Sequence, residues 1–404
     1  MVFFDPGLSP AHLRGLKDHK YTAEGTSITE VYLQPFWRWS VTQLPLWLAP
    51  NLITFTGLVI NTVTCLAVIL SDLNCEGKAP PILYLLSGIG TFVYQTLDGV
   101  DGKQARRTGT NNPLGEMFDH GCDTFSTFLL ALTGASAGSL HQYPYILIAY
   151  VFIMEFLNYA YHWQTYVSGC LYFKKIDCTE AQFCHIGVMV AVFIFGTSVW
   201  DYTLPWFGIP LKFILAGSVI CSSLMNLASA FYIILSKGVG KNGATVADTS
   251  VLSPIIPSGI VLYCSVFYCV YSPSFIMTRH AMLVFAALAL PFVKLILLMM
   301  VAGMCKTPLP LFDIVLIGPI LTVVNILLGV LIPETLLLIV VAWLDRSVHT
   351  LRLAVSQYQR YIKPHLLPLS HPQLSPQIII IIIIIIITND CYYFCLDVTD
   401  THNL

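Results

Sequence analysis

Pro50-Asn-Leu-Ile-Thr-Phe-Thr-Gly-Leu-Val-Ile-Asn-Thr-Val-Thr-Cys-Leu-Ala-Val-Ile-Leu-Ser71 is the stretch that decides the fold class. From Leu52 onward it carries no charged side chain, and a helix of about 20 such residues crosses a hydrocarbon core of roughly 30 Å. Nine further stretches read the same way: residues 80–98, 122–139, 143–164, 182–200, 211–235, 255–272, 281–304, 311–332 and 335–350. Proline punctuates them. Pro50-Asn51 opens the first, Ala79-Pro80-Pro81 the second, Tyr143-Pro144 the fourth, and Gly208-Ile209-Pro210 precedes the sixth. The whole chain agrees, being 56% hydrophobic and 10% charged over 404 residues, against roughly 25% charged in a soluble domain. Such a composition excludes a soluble globule and a disordered chain. A net charge of -2 argues against a nucleic-acid partner. Backbone groups in lipid must be satisfied internally, so the expectation is an all-α polytopic membrane protein with about ten transmembrane helices.

Positive charge orients these spans. With the N-terminus in the cytosol, 16 of the 20 Lys and Arg residues fall on the cytosolic side, among them Arg14, Lys17, Lys103, Arg106, Lys174, Lys237 and Arg346. Lys78 and Arg279 alone fall in the opposite loops, while Lys212 and Lys294 lie in or beside spans. Residues 1–46 read as a cytosolic segment without a signal peptide and residues 47–355 as the transmembrane domain. Residues 356–404 include ten consecutive isoleucines at 378–387, too few to cross a bilayer and too β-branched to favour a helix. This tail reads as a low-complexity appendage outside the fold. The 12 cysteines are scattered without paired CxxC spacing, so neither a zinc site nor a disulfide framework is expected.

Acids are scarce, yet five of the 22 fall between Asp98 and Asp123. The run Asp98-Gly-Val-Asp101-Gly102-Lys-Gln-Ala-Arg106-Arg turns through Gly109-Thr-Asn-Asn-Pro113 and resumes as Gly115-Glu116-Met-Phe-Asp119-His120-Gly-Cys-Asp123. On helices, Asp98 and Asp101 share a face at i, i+3, as do Asp119 and Asp123 at i, i+4. Carboxylates at a membrane boundary are costly and point to function. Four converging ones require a cation, and their hard oxygens suit Mg²⁺ or Mn²⁺, two of which would clamp a diphosphate. Gly102 and Arg106 lie one turn apart, so the guanidinium can reach phosphate oxygens beside the metals. Lys103 and Arg107 read as a solvated face. Glu155 and Lys294, inside spans, read equally as lining a lipid path or as paired or snorkelling groups. For Tyr94, Tyr161, Trp163 and Tyr166, interfacial anchoring or ordinary packing is a better reading than a cage for a quaternary ammonium.

The pattern Asp98-x-x-Asp101-Gly102-x-x-Ala105-Arg106, then Gly115-x-x-x-Asp119-x-x-x-Asp123, resembles the signature of the CDP-alcohol phosphotransferases, with every position present. Trp47-Leu-Ala-Pro-Asn51, His162-Trp-Gln-Thr-Tyr-Val-Ser-Gly169 and Gly238-Val-Gly-Lys-Asn-Gly243 resemble the eukaryotic choline/ethanolaminephosphotransferase branch. The resemblance runs from about residue 10 to 320 and weakens over the last two spans, which are candidates for a homodimer contact or a lipid entrance. It implies transfer of phosphocholine or phosphoethanolamine from CDP-choline or CDP-ethanolamine to diacylglycerol, releasing CMP, in the endoplasmic reticulum or Golgi membrane. Carried onto this chain, Asp98, Asp101, Asp119 and Asp123 hold the metals, Asn51 and Arg106 contact the CDP moiety, and His120 is the general base. Glu116, at i, i+4 from His120, is placed to orient that imidazole. The active site then opens on the cytosolic side between the early spans, where a soluble donor and a bilayer-dissolved acceptor can meet.

Two other readings differ in acceptor or in class. A relative acting on inositol or glycerol phosphate is disfavoured by the ten-span length and by the lack of extra basic residues near the site. A divalent-cation transporter would carry acids near the midplane of several spans, whereas these gather at one helical hairpin.

Overall fold

A computed structural model describes residues 10–344, except residue 207; the tail and its isoleucine run lie outside the described residues. The protein is an all-α membrane protein. Its helices are α1 (Pro10–Asp18), α2 (Ile28–Gln43), α3 (Pro50–Ser71), α4 (Pro81–Thr108), α5 (Pro113–Ala137), α6 (Pro144–Ser168), α7 (Cys178–Phe195), α8 (Leu211–Ser236), α9 (Ile255–Tyr271), α10 (Ile276–Arg279), α11 (Ala281–Leu288), α12 (Leu290–Cys305), α13 (Ile317–Leu327) and α14 (Glu334–Leu344). Two residues of extended chain, β1 (Ala23–Glu24), pair in parallel with β2 (Leu171–Tyr172).

Among the described residues each of the ten apolar stretches overlaps a helix; the tenth is described only to Leu344, and α13 and α14 are 11 residues each. Among the described residues, α3, α6, α7, α8 and the run Ala281–Cys305 are long and apolar enough to cross a membrane. The eighth stretch is interrupted at Ala289, because Pro291 cannot donate to the preceding turn. Burial separates the spans by role: in an apolar 18-residue window, 78% of Ala281–Cys305 is buried within the protein, against 11% of α7. One apolar core joins α5, α6, α11 and α12 through Phe128, Phe152, Tyr159, Trp163, Phe285 and Phe292.

The acidic run is wholly helical, with α4 and α5 reaching 28 and 25 residues. Helix α4 closes on Gly109, whose φ of +66° is the left-handed cap that glycine takes readily. Three residues later Asn112 caps α5, its side chain accepting from the Gly115 amide at 3.0 Å, with Pro113 in the first turn where it costs no hydrogen bond. Short connections make the N-termini of α3, α5 and α7 and the C-termini of α4 and α6 meet at one end. Helix α2 lies across that end, its Trp37 ring on Gly99, where a methyl group would come within 2.5 Å of the indole. Lys103 and Arg107, expected as solvated, pin this arrangement. Lys103 Nζ donates to the Gly99 carbonyl at 2.7 Å and lies over Trp37, and Arg107 donates to the Val41 and Leu44 carbonyls at 2.8 Å, closing the C-terminus of α2.

Candidate active site

The four-residue turn between α4 and α5 folds the acidic run on itself. Asp98, Asp119 and Asp123 each bring a carboxylate oxygen to within 4.8 Å of the others. Asp101 lies outside that tight group, one turn along α4, buried and oriented by a hydrogen bond from the Thr54 hydroxyl. Tyr94 donates to Asp123 Oδ1 at 2.7 Å. Oδ1 of Asp98 and Oδ1 of Asp119 are buried and have no hydrogen-bond partner. A buried carboxylate oxygen left unpaired is expensive, and three like charges this close repel. A divalent ion would supply both missing partners and offset that repulsion, and the all-oxygen donor set matches a hard cation.

Around this group opens a cavity of about 2230 Å³, whose wall includes Asn51, Asp98, Arg106, Asp119, His120 and Asp123. Arg106 is exposed and lies over Gly102, whose missing side chain leaves room for the guanidinium: a methyl group there would stand 3.6 Å from Nη1. Among the described residues no carboxylate pairs with Arg106. Asn51, in the first turn of α3, sits over Gly115, with Oδ1 3.4 Å from where a Cβ would be. The structure thus lines one cavity with Asn51, Asp98, Asp101, Gly102, Arg106, Glu116, Asp119, His120 and Asp123, the residues of the expected site, with Asp101 at the edge of the cluster.

One expected pairing is not formed. The Glu116 carboxylate binds His19 Nε2, at 3.1 and 2.9 Å, rather than His120. The reason is tertiary. Pairing of β1 with β2 and close contact of Gly15 with the Cys305 backbone draw residues 19–25 across the mouth of the cavity, and His19 arrives where the helix spacing alone would have left Glu116 free. The same segment sets Tyr21 beside His120, ring centroids 6.0 Å apart. Burial, and after it the charges of Glu116, Asp119 and Asp123, push the Tyr21 hydroxyl above its ordinary pKa, so it stays protonated. On its other side His120 meets the His162 ring at 6.0 Å and 85°.

Sequence reasoning therefore missed His19, Tyr21 and Thr54 and the roles of Tyr94 and Trp37. Only Tyr94 and Thr54 carried a signal, Tyr94 four residues before Asp98 on one helical face and Thr54 three after Asn51. Among the aromatic residues weighed for a cation cage, Tyr94, Trp163 and Tyr166 are packed and hydrogen-bonded, while Tyr161 lines the cavity. Lys294 is paired with Asp313 at 2.6 Å. Glu155 is fully buried in α6 with both oxygens unpartnered.

Residues 47–234 match the model of the CDP-alcohol phosphatidyltransferase family. Over 312 residues the chain is 43% identical to cholinephosphotransferase 1 of Bos taurus, covering 77% of each chain. Over 374 residues it is 38% identical to cholinephosphotransferase 1 of Rattus norvegicus, covering 92% of this chain and 94% of that one. Ethanolaminephosphotransferase 1 of Pongo abelii is 30% identical over 339 residues, 80% of this chain and 84% of its own. The family match contains Asn51, Arg106, His120 and all four aspartates, the residues that the fold gathers around one cavity. This chain belongs to the CDP-alcohol phosphatidyltransferase family.

Proposed function

We propose that this protein transfers phosphocholine or phosphoethanolamine from the corresponding CDP-alcohol to diacylglycerol, giving phosphatidylcholine or phosphatidylethanolamine and CMP. The observation that carries the reading is the Asp98–Asp119–Asp123 group, with two buried, unpartnered oxygens, set beside an unpaired arginine in a cavity at the ends of the spans. Relatives named cholinephosphotransferase and ethanolaminephosphotransferase support the choice of donor.

Asp98, Asp119 and Asp123, with Asp101 beside them, would hold one or two Mg²⁺ or Mn²⁺ ions, supplying positive charge against the phosphoryl oxygens and the departing CMP. Arg106 offers its planar fork to the diphosphate, and Asn51 offers an amide on the CDP side of the cavity. His120 accepts the proton of the acceptor hydroxyl as that oxygen bonds to the phosphorus bearing the choline or ethanolamine. The bond from this phosphorus to the bridging oxygen breaks, and CMP leaves with the electron pair. Glu116 acts through His19, which ties residues 19–25 across the cavity and holds Tyr21 against His120.

The cavity faces the cytosol in this reading. Lys20, Arg38, Lys103 and Arg106 line its wall, and an excess of basic residues marks the cytosolic side. We place the protein in the endoplasmic reticulum or Golgi membrane, as the eukaryotic branch it resembles implies. Residues 1–46 form the cytosolic segment, 47–355 the catalytic domain, and the last spans offer a surface for a homodimer. The test is phospholipid formation by protein purified in detergent, given Mg²⁺, diacylglycerol and radiolabelled CDP-choline or CDP-ethanolamine. Equal molar yields of CMP and phospholipid are expected with at least one donor; no product with either overturns the reading.

A further inference from the structure

Diacylglycerol presents its hydroxyl at the membrane surface and its acyl chains to the hydrocarbon, so its ester carbonyls lie deeper than the oxygen that reacts. A side chain that reads them must face the same cavity below the catalytic residues. It must also donate, because an ester carbonyl only accepts. Three polar side chains line the cavity one turn further along their helices from groups around the cluster: Gln95 on α4, below Asp98; Thr127 on α5, below Asp123; and Asn158 on α6, below His162, whose ring meets that of His120. Two have spent their donors. Gln95 Nε2 donates to Gln182 Oε1 at 2.8 Å and to the Thr179 carbonyl at 3.3 Å, and the Thr127 hydroxyl donates to the Asp123 carbonyl at 2.9 Å. Asn158 differs: its Nδ2 is buried and has no partner.

Position agrees with chemistry. Asn158 and His162 are i, i+4 on α6 and share a face, about 6 Å apart along the axis, and the His162 ring lies 6.0 Å from that of His120. Glycerol places its ester oxygens a comparable step from the free hydroxyl. A buried amide donor without an acceptor costs stability unless a ligand supplies one.

We infer that Asn158 reads the acceptor, its amide N–H donating to an acyl-ester carbonyl and so turning the free hydroxyl toward His120. This rests on the proposed reaction. Asn158 is a specificity-determining residue in this scheme, outside the chemical step.

The test compares three acceptors, with CDP-choline and Mg²⁺ and the purified full chain: diacylglycerol, its 1-alkyl-2-acyl analogue and its 1-acyl-2-alkyl analogue, each ether lacking one carbonyl. Wild type is expected to use one ether about tenfold less efficiently, the loss of one buried hydrogen bond. Asn158→Leu is expected to lose about tenfold on diacylglycerol alone, so that this discrimination collapses toward one while KM for CDP-choline stays put. Asn158→Ser, whose hydroxyl bonds back to its own helix, serves if the leucine variant does not fold and is expected to lose the discrimination likewise. Equal diacyl-to-ether ratios in wild type and variant overturn the inference, as does a wild type that ignores the carbonyls. No CMP from any acceptor would instead overturn the reaction beneath it.

Discussion

The two ends of the bundle bury acids in opposite ways. At the far end Asp72, just past the last turn of α3, accepts from the Glu76 and Gly77 amides at 2.9 and 2.8 Å and from the Ser136 hydroxyl at 2.5 Å, with Tyr84 bonded to Ser136 behind it. Every donor comes from the protein itself, and the result is a closed loop from α3 to α4. At the near end Asp98 and Asp119 keep buried oxygens without partners, in a group of three carboxylates. Burial does not distinguish these aspartates; satisfaction does. A satisfied carboxylate holds the fold, and an unsatisfied cluster is poised for something the chain does not contain.

That contrast can be broken by substitution. The largest effect is expected for Asp98→Asn, which should lower CMP release about a thousandfold while raising the thermal midpoint of metal-free protein, because it relieves like-charge repulsion. A variant both slower and less stable would make Asp98 a structural acid like Asp72. His120→Ala should cost about a hundredfold or more in kcat with little change in KM for the donor; a defect confined to KM would move the proton acceptor elsewhere. Asp72→Asn reverses the pattern. Its amide can no longer accept at every oxygen, so unfolding free energy should fall by about 2 kcal/mol with kcat of the folded fraction unchanged, measured by denaturation and turnover on one preparation. His19→Ala should have the smallest effect, a few-fold loss in kcat with the fold intact, since Glu116 stays partly exposed and can bind water; restored rate in His19→Gln would show that one hydrogen bond suffices there.

Much of this was legible from local spacing. Apolar length and proline placement marked ten stretches that each overlap a helix among the described residues, and i, i+3 and i, i+4 spacing put the aspartates on facing surfaces, because those relations depend only on helix geometry. What spacing could not show was competition from distant chain. Glu116 and His120 stand one turn apart, but His19 is 97 residues away in sequence and takes the carboxylate. Trp37 on Gly99 and Thr54 on Asp101 are likewise contacts between helices, invisible to a pattern read along one of them. Asn158 was missed for another reason: an asparagine within a span is unremarkable until the donors around it are seen to be spent.

Binding of Mn²⁺ by the purified, detergent-solubilised protein, followed by electron paramagnetic resonance, tests the central claim most directly, since it reads the cluster without relying on turnover. Wild type should bind one or two ions in competition with Mg²⁺, Asp98→Asn and Asp119→Asn should each weaken binding at least tenfold, and Asp72→Asn should bind as wild type does. Unchanged affinity in the Asp98 and Asp119 variants, or weakened affinity in the Asp72 variant, would contradict the assignment of the unpartnered carboxylates to a metal.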